Sequence, residues 1–327
     1  MQKKETVLIC PLNWGLGHAT RDVPIIKQIL SEGSKVIIAG SGYSLQFLKN
    51  EFPQLQSIEL SGFKISYASK QFFLLWILLQ LPFFGISIIK EHYQLKKIIK
   101  QYKITKVISD NRYGLWNKKI KSVLITHQVF IQLPRSVKVF EPALHWFTRR
   151  LITKFDKCWI PDYEDLNTSL SGKLSHGKNL PKNIKYIGPL SRFQNYQPHQ
   201  EIVIENYPDI LAIISGPEPQ RTIFEKQLFE RFKKSEKAVL MVCGKPSVSI
   251  IENHYKNIKK VDHLNSEELY FYLKNCKQII CRSGYSSIMD LHVLNVRAEL
   301  SPTPGQTEQA YLINWLEKMD HWPLAGN

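Results

Sequence analysis

The sequence predicts an α/β protein with two domains, each built on a parallel β-sheet whose strands alternate with helices. Its 327 residues are many for one domain and enough for two of about 150 each. Short apolar runs recur along the chain, and a Gly-containing turn and a helical pattern follow them, which is typical of βαβ units. Hydrophobic residues make up 43% of the chain, which excludes a disordered or fibrous protein.

The first half of the chain opens with an apolar strand, a glycine loop and an amphipathic helix. Val23, Ile26, Ile29 and Leu30 carry the apolar spacing of that helix. Further strands are predicted where β-branched residues are continuous. The four predicted strands cover residues 7–10, 36–39, 107–109 and 123–126.

The second half repeats this rhythm with predicted strands at residues 210–215, 238–243 and 278–281. Between the halves, residues 162–200 are rich in Ser, Gly, Asn, Lys and Pro and interrupt the alternation. We therefore predict a boundary at Gly188-Pro189, giving domains 1–188 and 189–327. The expected architecture is two Rossmann-like domains whose parallel sheets face a cleft between the domains.

One segment, Phe72 to Ile89, is almost wholly apolar and is interrupted by Gln80, Pro82 and Gly85. A helix of this length could span roughly 27 Å. Crossing a membrane here would separate strands of one sheet, so we reject a spanning helix. The alternatives are a buried helix pair under a loop and an exposed patch that docks on a membrane surface. We favour docking, chiefly because Phe-Phe-Leu-Leu-Trp is too aromatic and continuous for an amphipathic helix. Basic residues, which an anionic membrane surface would attract, follow directly: Lys90, Lys96, Lys97, Lys100, Lys103, Lys106, Arg112, Lys118, Lys119 and Lys121.

The charge and the cysteine content of the chain indicate the kind of partner it binds and the compartment in which it occurs. Lys and Arg number 44 against 28 Asp and Glu, and the net charge of +16 favours an anionic partner. Five scattered cysteines without a CxxC pair argue against a disulfide framework or structural zinc. The apolar run near the N-terminus, residues 7–10, is too short for a signal-peptide core. We expect a cytoplasmic protein.

The first glycine loop contains Gly15, Gly17 and His18 and joins the first strand to the first helix. Such a loop allows close approach of a ligand to the backbone. Thr20 replaces the third glycine of a dinucleotide fingerprint, and the second strand ends without an acid, so NAD binding is disfavoured. His18 is a candidate general base, although a histidine that only hydrogen-bonds the turn is the simpler interpretation.

Two loops of the second domain have the character of anion sites. Gly216 and Arg221 follow a strand and open a helix, but helix capping explains part of that pattern. The segment Arg282, Ser283 and Gly284 places a cation, a hydroxyl and free backbone N–H groups at one strand end, as a diphosphate requires.

Polar residues further along extend this candidate site. Asp290 lies one turn into the helix and could accept hydrogen bonds from a ribose, or could only complement the helix dipole. Gln306, Glu308 and Gln309 offer hydrogen-bonding groups for sugar hydroxyls. Thr303 with Gln306 also has capping-box spacing, which would be a purely structural reason for the pattern.

Together these motifs resemble the GT-B glycosyltransferases of family 28, of the MurG type. The resemblance lies in Gly-x-Gly-His, Cys-Arg-Ser-Gly and Pro-Thr-Pro-Gly-Gln-Thr-Glu-Gln, and is strongest in about the last 50 residues. It implies transfer of N-acetylglucosamine or another hexose, with inversion, from a UDP-sugar to a lipid-linked or other glycan acceptor. It also implies no essential metal and a peripheral position on the inner face of the cell membrane, as part of cell-envelope synthesis. A nucleic-acid partner would rest on the net charge of +16 alone, and because the sequence has no recognition motif for nucleic acid we do not expect one.

The resemblance implies residue roles as well. Arg282, Ser283 and Gly284 match the diphosphate loop, Asp290 the ribose acid, and Glu308 with Gln309 the donor-sugar pair. His18 matches the histidine of the glycine loop, and His127 is a second candidate base. We expect the C-terminus to be truncated relative to the family. A UDP-sugar 2-epimerase and a non-catalytic nucleotide-sugar-binding protein remain alternatives.

Overall fold

The computed structural model describes residues 4–62, 73–198, 206–246 and 252–319. The chain forms two compact units. The first comprises Met1–Trp14 and His18–Leu190, and the second comprises Gly15–Gly17 and Ser191–Asn327. The sequence placed the boundary two residues earlier, at Gly188-Pro189.

The first unit contains, among its described residues, a seven-stranded sheet in which every neighbouring pair is parallel. The strand order is 3-2-1-4-5-6-7. The predicted parallel sheet is therefore confirmed, while β3, β6 and β7 lie where the sequence pattern predicted no strand. The strands are β1 (Thr6–Pro11), β2 (Lys35–Gly40), β3 (Gln56–Glu59), β4 (Lys106–Asp110), β5 (Lys121–Ile125), β6 (Lys157–Ile160) and β7 (Ile184–Tyr186).

Helices pack on this sheet and bury its apolar side chains. Leu8 and Ile37 of the sheet form a core with Leu95, while Leu124 and Cys158 belong to another core with residues of the fourth helix. The helices are α1 (Gly17–Ser31), α2 (Gly42–Glu51), α3 (Phe73–Tyr102) and α4 (Glu141–Ile152), with 3₁₀ turns at Arg135–Phe140 and Gly172–Leu174.

Helix α3 does not have the form of the less favoured alternative for the apolar segment, a buried helix pair. It is one helix that continues through Pro82 and Gly85 into the lysine-rich stretch. Phe72 and the side chains of residues 73–81 lie outside the described part. No helix in the described part of the chain has the length and apolar character needed to cross a bilayer.

The described half of the apolar segment is divided between core and surface. Phe84 and Ile88 pack against the core that contains Leu151 and Ile152 of α4. Three other apolar side chains of this stretch are between 58% and 63% exposed: Phe83, Ile86 and Ile89.

The predicted basic surface loses one member. Arg112 is buried and donates from Nε to Glu91 at 3.0 Å, and also to the carbonyls of Leu60 and Ser61. The expectation that Arg112 contributes to an exposed cationic patch is therefore wrong, because its guanidinium joins α3 to the loop after β3. Lys90, Lys96 and Lys97 are exposed, as expected for a charged surface.

The second unit contains, in its described part, a six-stranded sheet of order 10-11-9-8-12-13. Its pairs are parallel except for the antiparallel β10–β11 hairpin, which the sequence pattern did not predict because polar and basic residues dominate it. The strands are β8 (Ile210–Ile213), β9 (Val239–Val242), β10 (Glu252–Tyr255), β11 (Ile258–Val261), β12 (Gln278–Arg282) and β13 (Glu299–Ser301). The helices are α5 (Gln220–Phe232), α6 (Ser266–Asn275), α7 (Tyr285–Leu294) and α8 (Thr307–Leu316).

Candidate functional site

The strand order of the first unit brings together loops that are distant in sequence. From β1, the chain proceeds to β2 and β3 on one side, and to β4 and β5 on the other. Ligands of open α/β sheets bind at such a switch point, beyond the carboxyl ends of the strands. His18 follows β1, Asp110 ends β4, and His127 comes directly after β5, so the sheet places these three residues at one edge.

A buried ion pair lies at this edge. Arg21 of α1 donates from Nε to Asp110 Oδ2 at 2.6 Å, and its Nη2 contacts Asp110 Oδ1. Arg21 is 2% exposed and Asp110 is fully buried. This two-point contact is the geometry in which an arginine and a carboxylate fix each other's orientation.

Both candidate histidines lie next to this pair. His18 Nδ1 is 3.0 Å from Asp110 Oδ1 and 2.9 Å from Arg21 Nη2. His127 Nδ1 is 3.3 Å from Arg21 Nη1. The two histidines predicted from the sequence thus belong to one cluster, joined by Arg21 and Asp110.

Burial and the charges of the cluster shift the pKa values of Asp110 and His18. Burial by itself would raise the pKa of Asp110, but the charges of Arg21 and His18 outweigh it and lower that pKa to about 2. Burial lowers the pKa of His18, Asp110 opposes this shift, and Arg21 adds to it. At neutral pH the cluster therefore holds an ionised carboxylate beside a neutral imidazole.

Asp22 is a second buried acid, adjacent in sequence to Arg21. Neither of its carboxyl oxygens has a hydrogen-bond partner among the described residues. Burial and the neighbouring charge of Asp110 raise the pKa of Asp22 well above its ordinary value, while Arg21 opposes the shift.

Sequence reasoning missed Arg21, Asp22 and the role of Asp110. Arg21 and Asp22 are buried on the same helix as the apolar Ile25 and Ile29. A charged pair at positions with the spacing of a buried helix face was a usable signal. Asp110 was not among the predicted site residues, although it comes directly after the predicted strand 107–109.

The second unit has its own switch point, between β8 and β12. Gly216, with φ of +106°, follows β8, and Gly284 precedes α7 after β12. No side chain caps the N-terminus of α7, and a Cβ atom added to Gly284 would meet no atom within 4 Å. The Cα of Gly284 therefore borders open space at the position where the sequence predicted a diphosphate.

Arg282 is the last residue of β12, directly before this loop. Its Nη1 donates to the carbonyl of Pro302 at 2.7 Å, and its guanidinium carbon lies 3.8 Å from the centroid of the Phe224 ring. Burial lowers its pKa to about 10. Arg282 thus joins the loop after β13 to α5, and a direct phosphate contact by this side chain stays a prediction. The neighbouring Ser283 donates to the carbonyl of Gln309 at 3.1 Å.

Asp290 has two partners that the sequence did not suggest. Ser191 donates to its Oδ1 at 2.6 Å, and Arg192 Nε lies 3.4 Å from its Oδ2. Burial raises the pKa of Asp290, and Arg192 and Ser191 oppose the shift. A ribose would have to share this carboxylate with both partners, so ribose binding also stays a prediction.

The Pro302–Gln309 loop is held by one amide side chain. Gln309 Oε1 accepts from the Thr303 backbone N–H at 2.8 Å, and its Nε2 donates to Gln306 Oε1 at 2.6 Å. Helix α8 begins after Gln306, which occupies the N-cap position without a side-chain cap. The capping-box interpretation of Thr303 with Gln306 is therefore wrong. Glu308 lies in the first turn of α8.

Arg221 and the first glycines have structural partners. Arg221, on α5, donates to the carbonyl of Cys243 after β9 at 3.0 Å and pairs with Glu218 before α5, so its guanidinium joins these two segments. Gly15 has φ of +118°, a backbone conformation that side chains disfavour. A Cβ atom on Gly17 would lie 2.9 Å from Ser286 Oγ, a residue of the same second unit.

A further buried carboxylate, Asp162, organises the loop after β6. Its oxygens accept from the backbone N–H groups of Leu170 and Ser171, each at 2.9 Å, and from the Ser169 hydroxyl at 2.6 Å. The Ser175 hydroxyl lies 2.8 Å from His176 Nδ1. This serine-rich segment was predicted only as a break in the alternation. Its hydrogen bonds make it a structural element.

Within residues 4–62, 73–198, 206–246 and 252–319, no three His, Cys, Asp or Glu side chains are grouped to hold a metal ion. That no metal is essential stays a prediction. All five cysteines are free.

Known proteins resemble this chain in sequence and in fold. No protein-family model matches the sequence. Two curated archaeal proteins, both described as uncharacterised glycosyltransferases, align with 94% of this chain and 81% of their own length. The protein of Methanosarcina acetivorans is 25% identical, and that of Methanosarcina mazei is 23% identical.

Solved structures resemble the whole chain. The glycosyltransferase of kitacinnamycin has a TM-score of 0.61 and 12% identity, covering 97% of this chain and 85% of that one. Arabidopsis thaliana UGT89C1, complexed with UDP-L-rhamnose, has a TM-score of 0.59 and 14% identity, covering 100% and 86%. Acinetobacter baumannii MurG has a TM-score of 0.51 and 13% identity, covering 99% and 85%. The chain has the GT-B fold. The archaeal relatives and these structures together support a GT-B glycosyltransferase, without indicating family 28 in particular.

Proposed function

We propose that this protein is an inverting glycosyltransferase that moves N-acetylglucosamine or another hexose from a UDP-sugar to a lipid-linked or other glycan acceptor. The observation that carries the proposal is the contact of His18 Nδ1 with the buried carboxylate of Asp110 at 3.0 Å. A carboxylate at Nδ1 favours the tautomer that leaves a lone pair on Nε2, the atom that a general base needs.

The reaction follows from that pair. His18 Nε2 accepts the proton of an acceptor hydroxyl as its oxygen attacks the anomeric carbon of the donor sugar. The bond between that carbon and the phosphate oxygen breaks, and UDP leaves with the electron pair. Attack from the face opposite the leaving group inverts the anomeric configuration. Asp110 stabilises the imidazolium that forms, because its pKa of about 2 keeps it ionised.

The donor is proposed to bind the second unit. The open N-terminus of α7 at Gly284 supports a diphosphate there, because backbone N–H groups and the helix dipole both favour negative charge. Asp290 would bind the ribose, and Glu308 with Gln309 the sugar. Arg282 would act mainly by holding the loop after β13 in place. No metal is required in this proposal.

Calorimetric titration with UDP, UDP-N-acetylglucosamine, GDP and dTDP tests the donor site. Gly284→Val should abolish UDP binding without loss of folding, because its Cβ meets open space and the backbone φ of −69° suits any residue. Asp290→Ala should weaken UDP binding. Glu236→Ala, on an exposed turn of the same unit, is the control. Unchanged UDP affinity in Gly284→Val would exclude the proposed diphosphate position.

Product analysis separates the three functional alternatives. A transferase releases UDP only when an acceptor is present, whereas an epimerase changes the UDP-sugar alone. Binding of UDP-sugar without turnover over many polyprenyl-phosphate and glycan acceptors would support the non-catalytic alternative. Release of UDP that depends on an acceptor, and on His18, supports the transferase.

We also propose that the first unit docks on an anionic membrane surface, which would place the protein peripherally on the cytoplasmic face. Exposed Phe83, Ile86 and Ile89 beside the lysines of α3 support this partner. Flotation with phosphatidylglycerol-containing vesicles should retain the protein at low salt and release it at high salt. Phe83→Ser should weaken binding, whereas Ile223→Ser, which changes an exposed residue on α5, should not.

A further inference from the structure

The hydroxyl of Thr303, in the loop after β13, is a buried polar group that the proposed function does not use. Thr303 is 2% exposed, and its Oγ1 has no hydrogen-bond partner among the residues that the structure describes. We infer that this hydroxyl binds the second phosphate of a nucleoside diphosphate and makes the donor site selective for diphosphates over monophosphates. The inference rests on the proposed donor site, to which it adds a residue that determines specificity.

The sheet of the second unit brings Thr303 level with two glycine loops. Strands β8, β12 and β13 are parallel neighbours, and one row of paired residues runs across them: Ile213, Cys281 and Leu300. Gly216, Gly284 and Thr303 each follow this row by three residues. Because the carboxyl ends of parallel strands lie at the same edge of a sheet, the three loops adjoin at the proposed diphosphate position.

Gly216 leaves room beside the hydroxyl. Its φ of +106° is a backbone conformation that residues with a side chain disfavour. A Cβ atom built on Gly216 would have Thr303 Oγ1 at 3.8 Å, and apart from the chain neighbours of Gly216 no other atom of the described residues lies within 4 Å. A side chain at position 216 would fill this space. The glycine therefore lets a ligand oxygen approach the hydroxyl from the loop after β8.

The backbone around Thr303 is already fixed by hydrogen bonds. Its N–H donates to Gln309 Oε1 at 2.8 Å, and its carbonyl accepts from the Gln306 N–H at 3.0 Å. The carbonyl of Pro302, the preceding residue, accepts from Arg282 Nη1 at 2.7 Å. These contacts engage the backbone and leave the hydroxyl for a ligand. They also hold the hydroxyl in place before the ligand binds, which reduces the entropy lost on binding.

A phosphate oxygen is the partner that suits this hydroxyl. A buried hydroxyl without a partner destabilises the protein, and a ligand oxygen that accepts its proton removes that cost. A charged acceptor forms a stronger hydrogen bond than a neutral one. The guanidinium of Arg282 adds a positive charge beside the same loop, and its Nε is likewise buried without a hydrogen-bond partner in the described part of the chain. Both groups favour an anion.

The hydrogen bond to Gln309 indicates which phosphate this is. Gly284 and Asp290, before and on α7, are proposed to bind the diphosphate and the ribose, whereas Glu308 and Gln309 on α8 are proposed to bind the donor sugar. Thr303 lies in the loop that leads into α8 and is joined to Gln309. In a UDP-sugar the second phosphate carries the sugar. A hydroxyl on the sugar side of the site therefore meets the second phosphate.

Thermal unfolding of the ligand-free protein tests whether the hydroxyl lacks a partner. Thr303→Val replaces the hydroxyl with a methyl group of nearly the same shape. We expect the Tm to rise by at least about 2 °C, because the cost of a buried unpaired hydroxyl is removed. Thr153→Val is the matched control: the Thr153 hydroxyl donates to the Arg150 carbonyl at 3.0 Å, so the Tm should not rise. A lower Tm in Thr303→Val would identify a structural partner and overturn the inference.

Calorimetric titration with UDP and UMP tests the ligand. Thr303→Val should weaken UDP binding by about 10- to 100-fold and change UMP binding by less than about twofold, because UMP has no second phosphate. Thr303→Ser keeps the hydroxyl and should bind both nucleotides nearly as tightly as the unchanged protein. Unchanged UDP affinity in Thr303→Val, or equal losses for both nucleotides, would overturn the inference and leave the proposed donor site standing. Absence of UDP binding to the unchanged protein would instead overturn the proposed donor site, and the inference with it.

Discussion

Replacing Asp110 with asparagine tests the proposed base most directly. The amide is nearly isosteric with the carboxylate but can donate a hydrogen bond to His18 Nδ1. That donation stabilises the tautomer with the proton on Nε2, which cannot act as a base. In a catalytic histidine–aspartate pair this change lowers kcat by about 10⁴-fold. At 1.36 kcal/mol for each factor of ten, the transition state loses about 5 kcal/mol.

The same substitution also affects folding, so both effects must be measured. Asp110 neutralises the buried Arg21, and leaving a buried charge without its partner costs about 3–5 kcal/mol. We expect a lower Tm in Asp110→Asn by circular dichroism, and initial rates of UDP release should be taken well below it. Asp156→Asn, on an exposed turn of the same unit, should change neither quantity by much. A folded Asp110→Asn protein that retains more than a tenth of the original kcat would refute the reasoning.

Three further predictions concern buried titratable groups. Because the pKa of Asp22 is raised in the folded protein, the unfolded chain loses this proton first as pH rises above about 4, and stability falls. Asp22→Asn should therefore raise the Tm more at pH 8 than at pH 5. Burial and Arg192 lower the pKa of His263 to about 4. As pH falls from 6.5 to 4, the unfolded chain therefore binds a proton before the folded protein does, and about 3 kcal/mol of stability is lost. In urea unfolding measured at several pH values, His263→Gln should reduce this loss of stability between pH 6.5 and 4. Asp162→Ala should lower the free energy of unfolding by more than about 3 kcal/mol in the same assay, because several buried donors lose their acceptor. The control Asp165→Ala, at an exposed residue, should lower it by under about 1 kcal/mol. Similar losses of stability in both variants would contradict the structural role of Asp162.

The local pattern of the sequence identified many of the elements that position the site. Strands β1, β4, β8 and β12 were predicted because continuous β-branched runs mark strands buried on both faces. Strands β3, β6 and β7 and the β10–β11 hairpin were missed, since they are short and carry polar residues such as Gln56 and Lys185. A short, half-exposed strand differs little from a loop in its composition.

The sequence likewise predicted some residues of the candidate site but not the contacts between them. His18 and His127 were found because each follows a predicted strand, the usual place for functional residues in parallel sheets. Asp110 ends a predicted strand too, yet its contact with His18 joins residues 92 positions apart. The contact between Asp290 and Ser191 joins residues 99 positions apart. No local pattern carries that information.

The sequence by itself determined the class of this protein: parallel α/β, two domains, glycine loops after the first strand of each, and the motifs that resemble family 28. The tertiary structure alone decided which charged groups are neighbours. The physical reason is strand order, which determines which strands have neighbouring carboxyl ends. Burial then strengthens the interaction between the charged groups that meet there. Arg21, an ordinary helix residue in the sequence, thereby lies between Asp110 and both histidines.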